Sequence, residues 1–320
     1  MEKKYRGVIY TVITITVLFA VVYGITLIYP LEKTNITPAN VTPGQNWTNV
    51  SYANLSQAQE MDIYLPDTAG PYPVIIWIHG GGYMSGDKNN GYLHLAKEGL
   101  KRGYAVVSIN YRLTNEAQYP AQINDVKAAI RFLRANSNEY NLNPDKIAVW
   151  GSSAGGGLAA LAGTSGNVEE LQDDSLGNSN TSDQVQAVVD MKGPINFSTL
   201  LPQLQKINNS NNNSYNYNET EHMLVKLMGG NVSLIPDQVA MANPETFISM
   251  DDPPFFIVHG NADSLIPCEQ SVDFANKLQK VLGISKVTIE VIPGADHNAT
   301  YFSTQQNINQ ILDFLDKNLK

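Results

Sequence analysis

Ser153 stands in the run Gly151-Ser152-Ser153-Ala154-Gly155, between the apolar stretch Ile147–Trp150 and the small, apolar stretch Leu158–Gly163. A serine hydroxyl in that setting is a candidate nucleophile for acyl transfer. Glycines two before and two after it allow a strand to turn sharply into a helix, and the tight turn lifts the side chain off the sheet. The helix that follows aims its positive N-terminal end at the same point. Glycine and serine are common in loops, so the five-residue pattern alone is weak. Its position between a strand and a helix is what gives it weight.

Acyl transfer by serine also needs a base, an acid that orients the base, and donors for the oxyanion. The five histidines are His79, His94, His222, His259 and His297. Only His297 follows a strand-ending acid in the C-terminal part of the chain. Phe255–Val258 is a buried-strand pattern that runs into a loop carrying Asp263, and Val287–Ile292 does the same for His297. Open α/β sheets place their sites at such strand ends. Asp263 is therefore the expected acid, with Asp251, Asp252 and Asp296 as alternatives. Asp296 adjoins His297, so its side chain is badly placed to reach back under the imidazole. His259 reads as structural, and His94 and His222 read as surface residues. The run His79-Gly80-Gly81-Gly82 follows an early strand pattern, and its glycines let backbone N–H groups approach a substrate. The expected oxyanion donors are the amides of Gly81, Gly82 and Ala154. A flexible glycine loop is the plainer reading, but two independent motifs in the right order make it weak. The single cysteine, Cys268, excludes an intramolecular disulfide and offers no metal cluster. No metal and no cofactor are expected.

These residues need a frame. Val74–Ile78, Ala105–Ile109, Ile147–Trp150, Gln186–Met191, Phe255–Val258 and Val287–Ile292 read as strands, mostly as continuous apolar runs covered on both faces. Ser51–Tyr64 reads as a first strand or hairpin. Helices are expected over Leu93–Arg102, Ala121–Ala135 and Ile308–Leu319, with a weaker one over Glu221–Leu227. Alternating strands and helices predict a mainly parallel central sheet with helices on both faces. Val168–Asp183 is polar and loop-like. The Asn-rich residues 200–245 are too long for a structureless loop and are expected to form a cap over the site.

With 43% hydrophobic and 16% charged residues, the 320-residue chain has material for one large core. A net charge of −9 argues against a nucleic-acid partner. Lys3, Lys4 and Arg6 precede an uncharged run from Gly7 to Tyr29, about the length that spans a bilayer as a helix. The basic flank predicts a single-pass cell-membrane anchor with the rest of the chain outside. A cleaved signal peptide, and hence secretion, is the rival. The expected divisions are 1–30 anchor, 31–50 exposed linker, and 51–320 catalytic domain. Acceptor triplets for glycosylation crowd the linker region, at Asn35, Asn40, Asn46, Asn49 and Asn54, and another lies at Asn298.

From about Ser51 onward the chain resembles α/β-hydrolases of the hormone-sensitive-lipase-like and acetyl/feruloyl-esterase-like groups. The resemblance rests on Trp77-Ile78-His79-Gly80-Gly81-Gly82-Tyr83, Gly86-Asp87-Lys88, Tyr111-Arg112-Leu113 and Tyr119-Pro120-Ala121-Gln122 with Asp125. It continues through Gly151–Gly156, Gly193-Pro194, Asp252-Pro253-Pro254, His259-Gly260 with Asp263 and Pro267, and Pro293–His297. It implies cofactor-free hydrolysis of carboxylic esters by a triad of Ser153, Asp263 and His297, with acyl and alcohol preference left open. Two residues depart from the pattern. Asn196 stands where such proteins often carry an acid after Gly-Pro, and Asn298 opens its glycosylation triplet directly after His297. The expectation is an outward-facing serine esterase acting on short-chain esters. A peptidase or amidase on the same fold, and a non-catalytic cell-surface binding protein, are its rivals.

Overall fold

The computed structural model describes residues 41–211 and 215–320, the side chains of 208–211 and 215–216 excepted. The expected membrane helix and the triplets at Asn35 and Asn40 lie outside the described residues. Among the described residues no helix is long and apolar enough to cross a membrane.

The described strands are β1 (Asn46–Ser51), β2 (Glu60–Tyr64), β3 (Tyr72–Ile78), β4 (Ala105–Ile109), β5 (Leu142–Ser152), β6 (Ala187–Met191), β7 (Phe255–Gly260) and β8 (Val287–Ile292). They form one sheet in the order β1-β2-β4-β3-β5-β6-β7-β8. β1 pairs antiparallel with β2, and β2 antiparallel with β4. Every pairing from β4 through β3 to β8 is parallel. The apolar runs explain this arrangement. A strand buried on both faces has no polar side to show to water, so helices must cover both. The covering helices include α1 (Leu93–Lys97), α2 (Ala121–Ala135) and α3 (Ala154–Thr164). Then come α4 (Phe197–Asn211), α5 (Tyr215–Met228), α6 (Pro236–Ala242), α7 (Glu269–Leu282) and α8 (Gln305–Leu319).

Alternation along each strand divides the core into two layers. Val74, Ile76 and Ile78 of β3 join Val126, Leu158 and Phe274, from α2, α3 and α7. Ile75 and Trp77 face the other way, into a layer with Leu95 of α1 and Ile311 and Leu315 of α8. Trp77 and Trp150 meet edge to face there, with ring centroids 5.8 Å apart. Each fully buried side chain of this size contributes about 1.5–3 kcal/mol of transfer free energy.

Several elements differ from the sequence expectation. The sheet starts at Asn46, inside the stretch read as linker, because β1 pairs with β2. Asn46 and Asn49 therefore belong to a sheet edge and not to an extended stalk. The expected helix over Leu93–Arg102 is α1 followed by a 3₁₀ turn at Glu98–Arg102, which Gly103 ends in the left-handed region. The residues read as a cap are three helices, α4, α5 and α6, set in the chain between β6 and β7. Their apolar residues Leu200, Leu204, Leu224, Leu227 and Val239 are buried, and the asparagines that dominate the composition hid them. Helix α7 was not legible as a separate element, although it is strongly one-sided, burying Phe274, Ala275 and Leu278.

Candidate active site

The elbow forms where β5 ends at Ser152 and α3 begins at Ala154. Ser153 sits between them at φ 55° and ψ −125°, a conformation that L-residues adopt only when the surroundings enforce it. The flanking glycines are a steric requirement. A Cβ on Gly151 would lie 1.9 Å from the Gly155 carbonyl oxygen, and one on Gly155 would lie 2.1 Å from that of Ile78. The whole of α3 is buried, and its small residues let it lie close on the sheet.

The structure brings Ser153, His297 and Asp263 into one hydrogen-bonded line. His297 Nε2 is 3.0 Å from Ser153 Oγ, and His297 Nδ1 is 2.6 Å from Asp263 Oδ2. Because the carboxylate only accepts, Nδ1 carries the proton and Nε2 presents its lone pair to the serine. Asp263 follows the C-terminal end of β7, and its Oδ1 accepts from the amides of Leu265 and Ile266 at 2.9 and 2.8 Å. Burial alone would raise its pKa, but hydrogen bonds from His259 and His297 outweigh that and hold it far below the usual carboxylate range. The alternative acids are placed elsewhere. Asp252 precedes β7, at the opposite end of the strand from Asp263, and is bound to Ser249. Asp296 Oδ1 accepts from the His297 amide at 2.8 Å and from the amide and hydroxyl of Ser264 at 2.9 and 3.0 Å. It staples the two loops and makes no contact with the imidazole.

Ser153 and His297 open into a cavity of about 650 Å³ whose lining includes Gly80, Gly81, Gly82 and Ala154. Ala154 starts α3, so its N–H belongs to the unsatisfied first turn. Gly81 and Gly82 lie at φ 124° and 59°, where only glycine is at ease. His79, the head of that motif, is buried; it stacks on Tyr111, whose hydroxyl donates to the His79 carbonyl at 2.9 Å. It braces the loop and does not face the cavity. Met84, Met223, Leu265, Ile266 and Pro194 supply an apolar wall, with Asn90, Glu219, His222 and Asn298 among the other lining residues. His94 and His222 are exposed, as read from sequence. Asn196 caps α4: its Oδ1 accepts from the Ser198 and Thr199 amides at 2.9 and 3.2 Å. The missing acid is thus replaced by a helix cap.

Sequence reasoning missed one residue at the site. Lys192, directly after β6, is buried at φ 51° and lines the cavity. Its ammonium donates to the His297 backbone carbonyl and lies over the Phe302 ring, 4.5 Å from the centroid. Burial pulls its pKa from 10.5 down to about 8, against the attraction of Asp263 and Asp296. The one available signal was a lysine wedged between the apolar Val188-Val189 strand pattern and Gly193-Pro194. His259, read from sequence as structural, is buried, and its Nε2 lies 3.1 Å from Asp263 Oδ2, a contact the sequence did not show.

Fold and site together define an α/β-hydrolase. The BD-FAE family model matches residues 61–278, and the chain belongs to that family. It is 33% identical over 241 residues to the probable carboxylic ester hydrolase LipM of Mycobacterium tuberculosis, covering 73% of this chain and 52% of LipM. Among solved structures, a truncated carbohydrate esterase from gut microbiota is 32% identical with a TM-score of 0.74, covering 88% of this chain and 98% of that one. A bifunctional GH43-CE protein of Bacteroides eggerthii is likewise 32% identical with a TM-score of 0.74, covering 86% of this chain and 38% of its own. The chain spans about half the length of the curated relatives it matches.

Proposed function

We propose that this protein is a serine esterase that hydrolyses short-chain carboxylic esters through an acyl-enzyme. The observation that carries the reading is the line Asp263–His297–Ser153, ending in a cavity lined by Gly81, Gly82 and Ala154. Ser153 Oγ attacks the ester carbonyl carbon while its proton passes to His297 Nε2. The amides of Gly81, Gly82 and Ala154 hold the oxyanion. Collapse of the tetrahedral intermediate breaks the C–O bond, and the departing alcohol takes the proton from His297. A water molecule then gives its proton to His297 and attacks the acyl carbon; the acid leaves and the proton returns to Ser153. Asp263 keeps the imidazole in the required tautomer and stabilises the imidazolium. No step asks for a cofactor.

Short acyl groups, acetyl to butyryl, are the proposed substrates. Each further buried methylene is worth about 0.8 kcal/mol only where apolar wall remains to receive it. The wall here is a short set of residues, Met84, Met223, Leu265, Ile266 and Pro194, shared between the acyl and alcohol sides. Polar lining residues suit a hydroxylated alcohol, and the likeness to a carbohydrate esterase supports saccharide-linked esters. The test is kcat/KM across chromogenic esters of two to twelve carbons beside amide analogues. A maximum at acetyl to butyryl is expected. A maximum at ten carbons or more, or faster amide than ester cleavage, overturns it.

The location is part of the same proposal. The basic flank before the uncharged run supports an uncleaved anchor with the hydrolase outside the membrane. Protease added to intact cells then removes the hydrolase; a protected hydrolase contradicts this orientation.

A further inference from the structure

His259 shares the carboxylate oxygen that His297 uses. His259 Nε2 is 3.1 Å from Asp263 Oδ2 and 2.9 Å from the Ile266 carbonyl. Its Nδ1 is 2.7 Å from Ser271 Oγ, on α7. All three groups are buried. Both neighbours of Nε2 are pure acceptors, so Nε2 carries the proton whatever the state of Nδ1. The Asp263 carboxylate therefore has all four lone-pair positions filled. Oδ1 takes the Leu265 and Ile266 amides, and Oδ2 takes the two imidazoles.

We propose that His259 is a positioning residue of the esterase site: with Ser271 behind it, it locks the Asp263 carboxylate against rotation and draws charge from the oxygen that faces His297. The inference rests on the esterase reading above. Packing alone does not explain the contact, since a buried apolar residue would fill the space without leaving an imidazole aimed at the acid. Two physical consequences follow. Without the second N–H, the carboxylate turns more freely about its Cβ–Cγ bond and the His297 ring loses its fixed direction. Misplacement of a catalytic group by about 1 Å lowers rates on the order of a hundredfold. In addition, Oδ2 then offers its full charge to His297, which favours the imidazolium. The other charged or titratable groups near this pair are Asp190, which interacts with His259, the buried Cys268 thiol near Asp263, and Lys192 and Asp296 beside the His297 loop. None of them is altered by the variants below.

The test compares His259→Leu, which removes the donor, with His259→Gln, whose side-chain amide can replace Nε2–H. Readouts are kcat, KM, the acid limb of the kcat/KM–pH profile and the His297 Nδ1 proton resonance of the ligand-free protein. Expected for His259→Leu is a loss in kcat of about 10–100-fold, KM changed little, an acid limb displaced to higher pH and a moved resonance. His259→Gln is expected to restore kcat to within a few-fold and to return the limb. If the leucine variant does not fold, His259→Asn carries the same test, because its amide is too short to reach Asp263. A folded leucine or asparagine variant with wild-type kcat, limb and resonance overturns the inference. So does equal impairment of the leucine and glutamine variants with the limb unmoved. The wild type and Ser153→Ala serve as controls. Ester hydrolysis that survives Ser153→Ala near the wild-type rate defeats the serine-esterase reading itself, whereas the resonance comparison tests the His259 contact without any turnover.

Discussion

Asp263, not the neighbouring Asp296, faces the His297 imidazole: its Oδ2 lies 2.6 Å from Nδ1. Asp296 turns to amides and to Ser264 instead. Asp263→Asn puts an amide where the imidazole N–H must find an acceptor, which favours the wrong tautomer. We expect kcat to fall by about 10³–10⁴-fold. Asp296→Asn keeps an oxygen for the His297 and Ser264 amides and should stay within about tenfold of wild type. Steady-state kinetics on the two folded variants decide the matter, and a greater loss for Asp296→Asn contradicts the assignment.

Lys192 makes stability depend on pH in the alkaline range. Its pKa is about 8 in the fold and 10.5 when free. Between those values the unfolded chain binds more protons, so this group makes stability rise with pH; below about 8 the burial cost is present in full. The full effect is on the order of 3 kcal/mol. Urea unfolding from pH 7.5 to 10.5 should show wild type gaining stability relative to Lys192→Met. Parallel curves for the two proteins would contradict this.

Asp190 acts in the acid range with the opposite slope. Burial raises its carboxyl pKa from 3.8 to about 6, although the Gly193 amide donates to Oδ1 at 2.9 Å. Its Oδ2 has no hydrogen-bond partner among the described residues. The neutral acid is favoured by the fold, so its contribution is complete below pH 4 and is lost as pH rises through 6, by on the order of 3 kcal/mol. Unfolding of Asp190→Asn between pH 4 and 7 should lack that decline. A decline equal to wild type places the titration elsewhere.

The elbow glycines predict a contrast in stability. Gly155→Ala drives a methyl group into the Ile78 carbonyl, whereas a Cβ on Gly91 meets nothing within 4 Å. Gly155→Ala should destabilise the fold by about 2 kcal/mol or more, and Gly91→Ala should be nearly neutral. Thermal melting separates them; equal melting temperatures would show that the elbow relaxes.

The sheet was legible because its strands are long apolar runs. Val74–Ile78 and Phe255–Val258 cannot be much else when turn residues bound them. The elbow glycines were legible for a steric reason that the backbone makes explicit. What the sequence hid were contacts that depend on register and not on pattern. No spacing rule says that His259 leaves β7 pointing at Asp263, or that Lys192 folds back under the carbonyl of His297. The cap was read from its asparagines as polar, while the buried face of α4 and α5 is carried by scattered Leu and Met. The start of the sheet was missed because β1 is a mostly exposed edge strand, Asn46–Ser51, with no apolar run to mark it.

The central claim is that Ser153 carries the acyl group. The direct measurement is mass spectrometry of the full-length protein after reaction with an organophosphate ester, alongside hydrolysis of an acetyl ester. The account predicts one phosphoryl group per chain, on the peptide containing Ser153, with activity lost in step with labelling and both absent from Ser153→Ala. Labelling at another residue, or acetyl-ester hydrolysis that persists in folded Ser153→Ala, would contradict it.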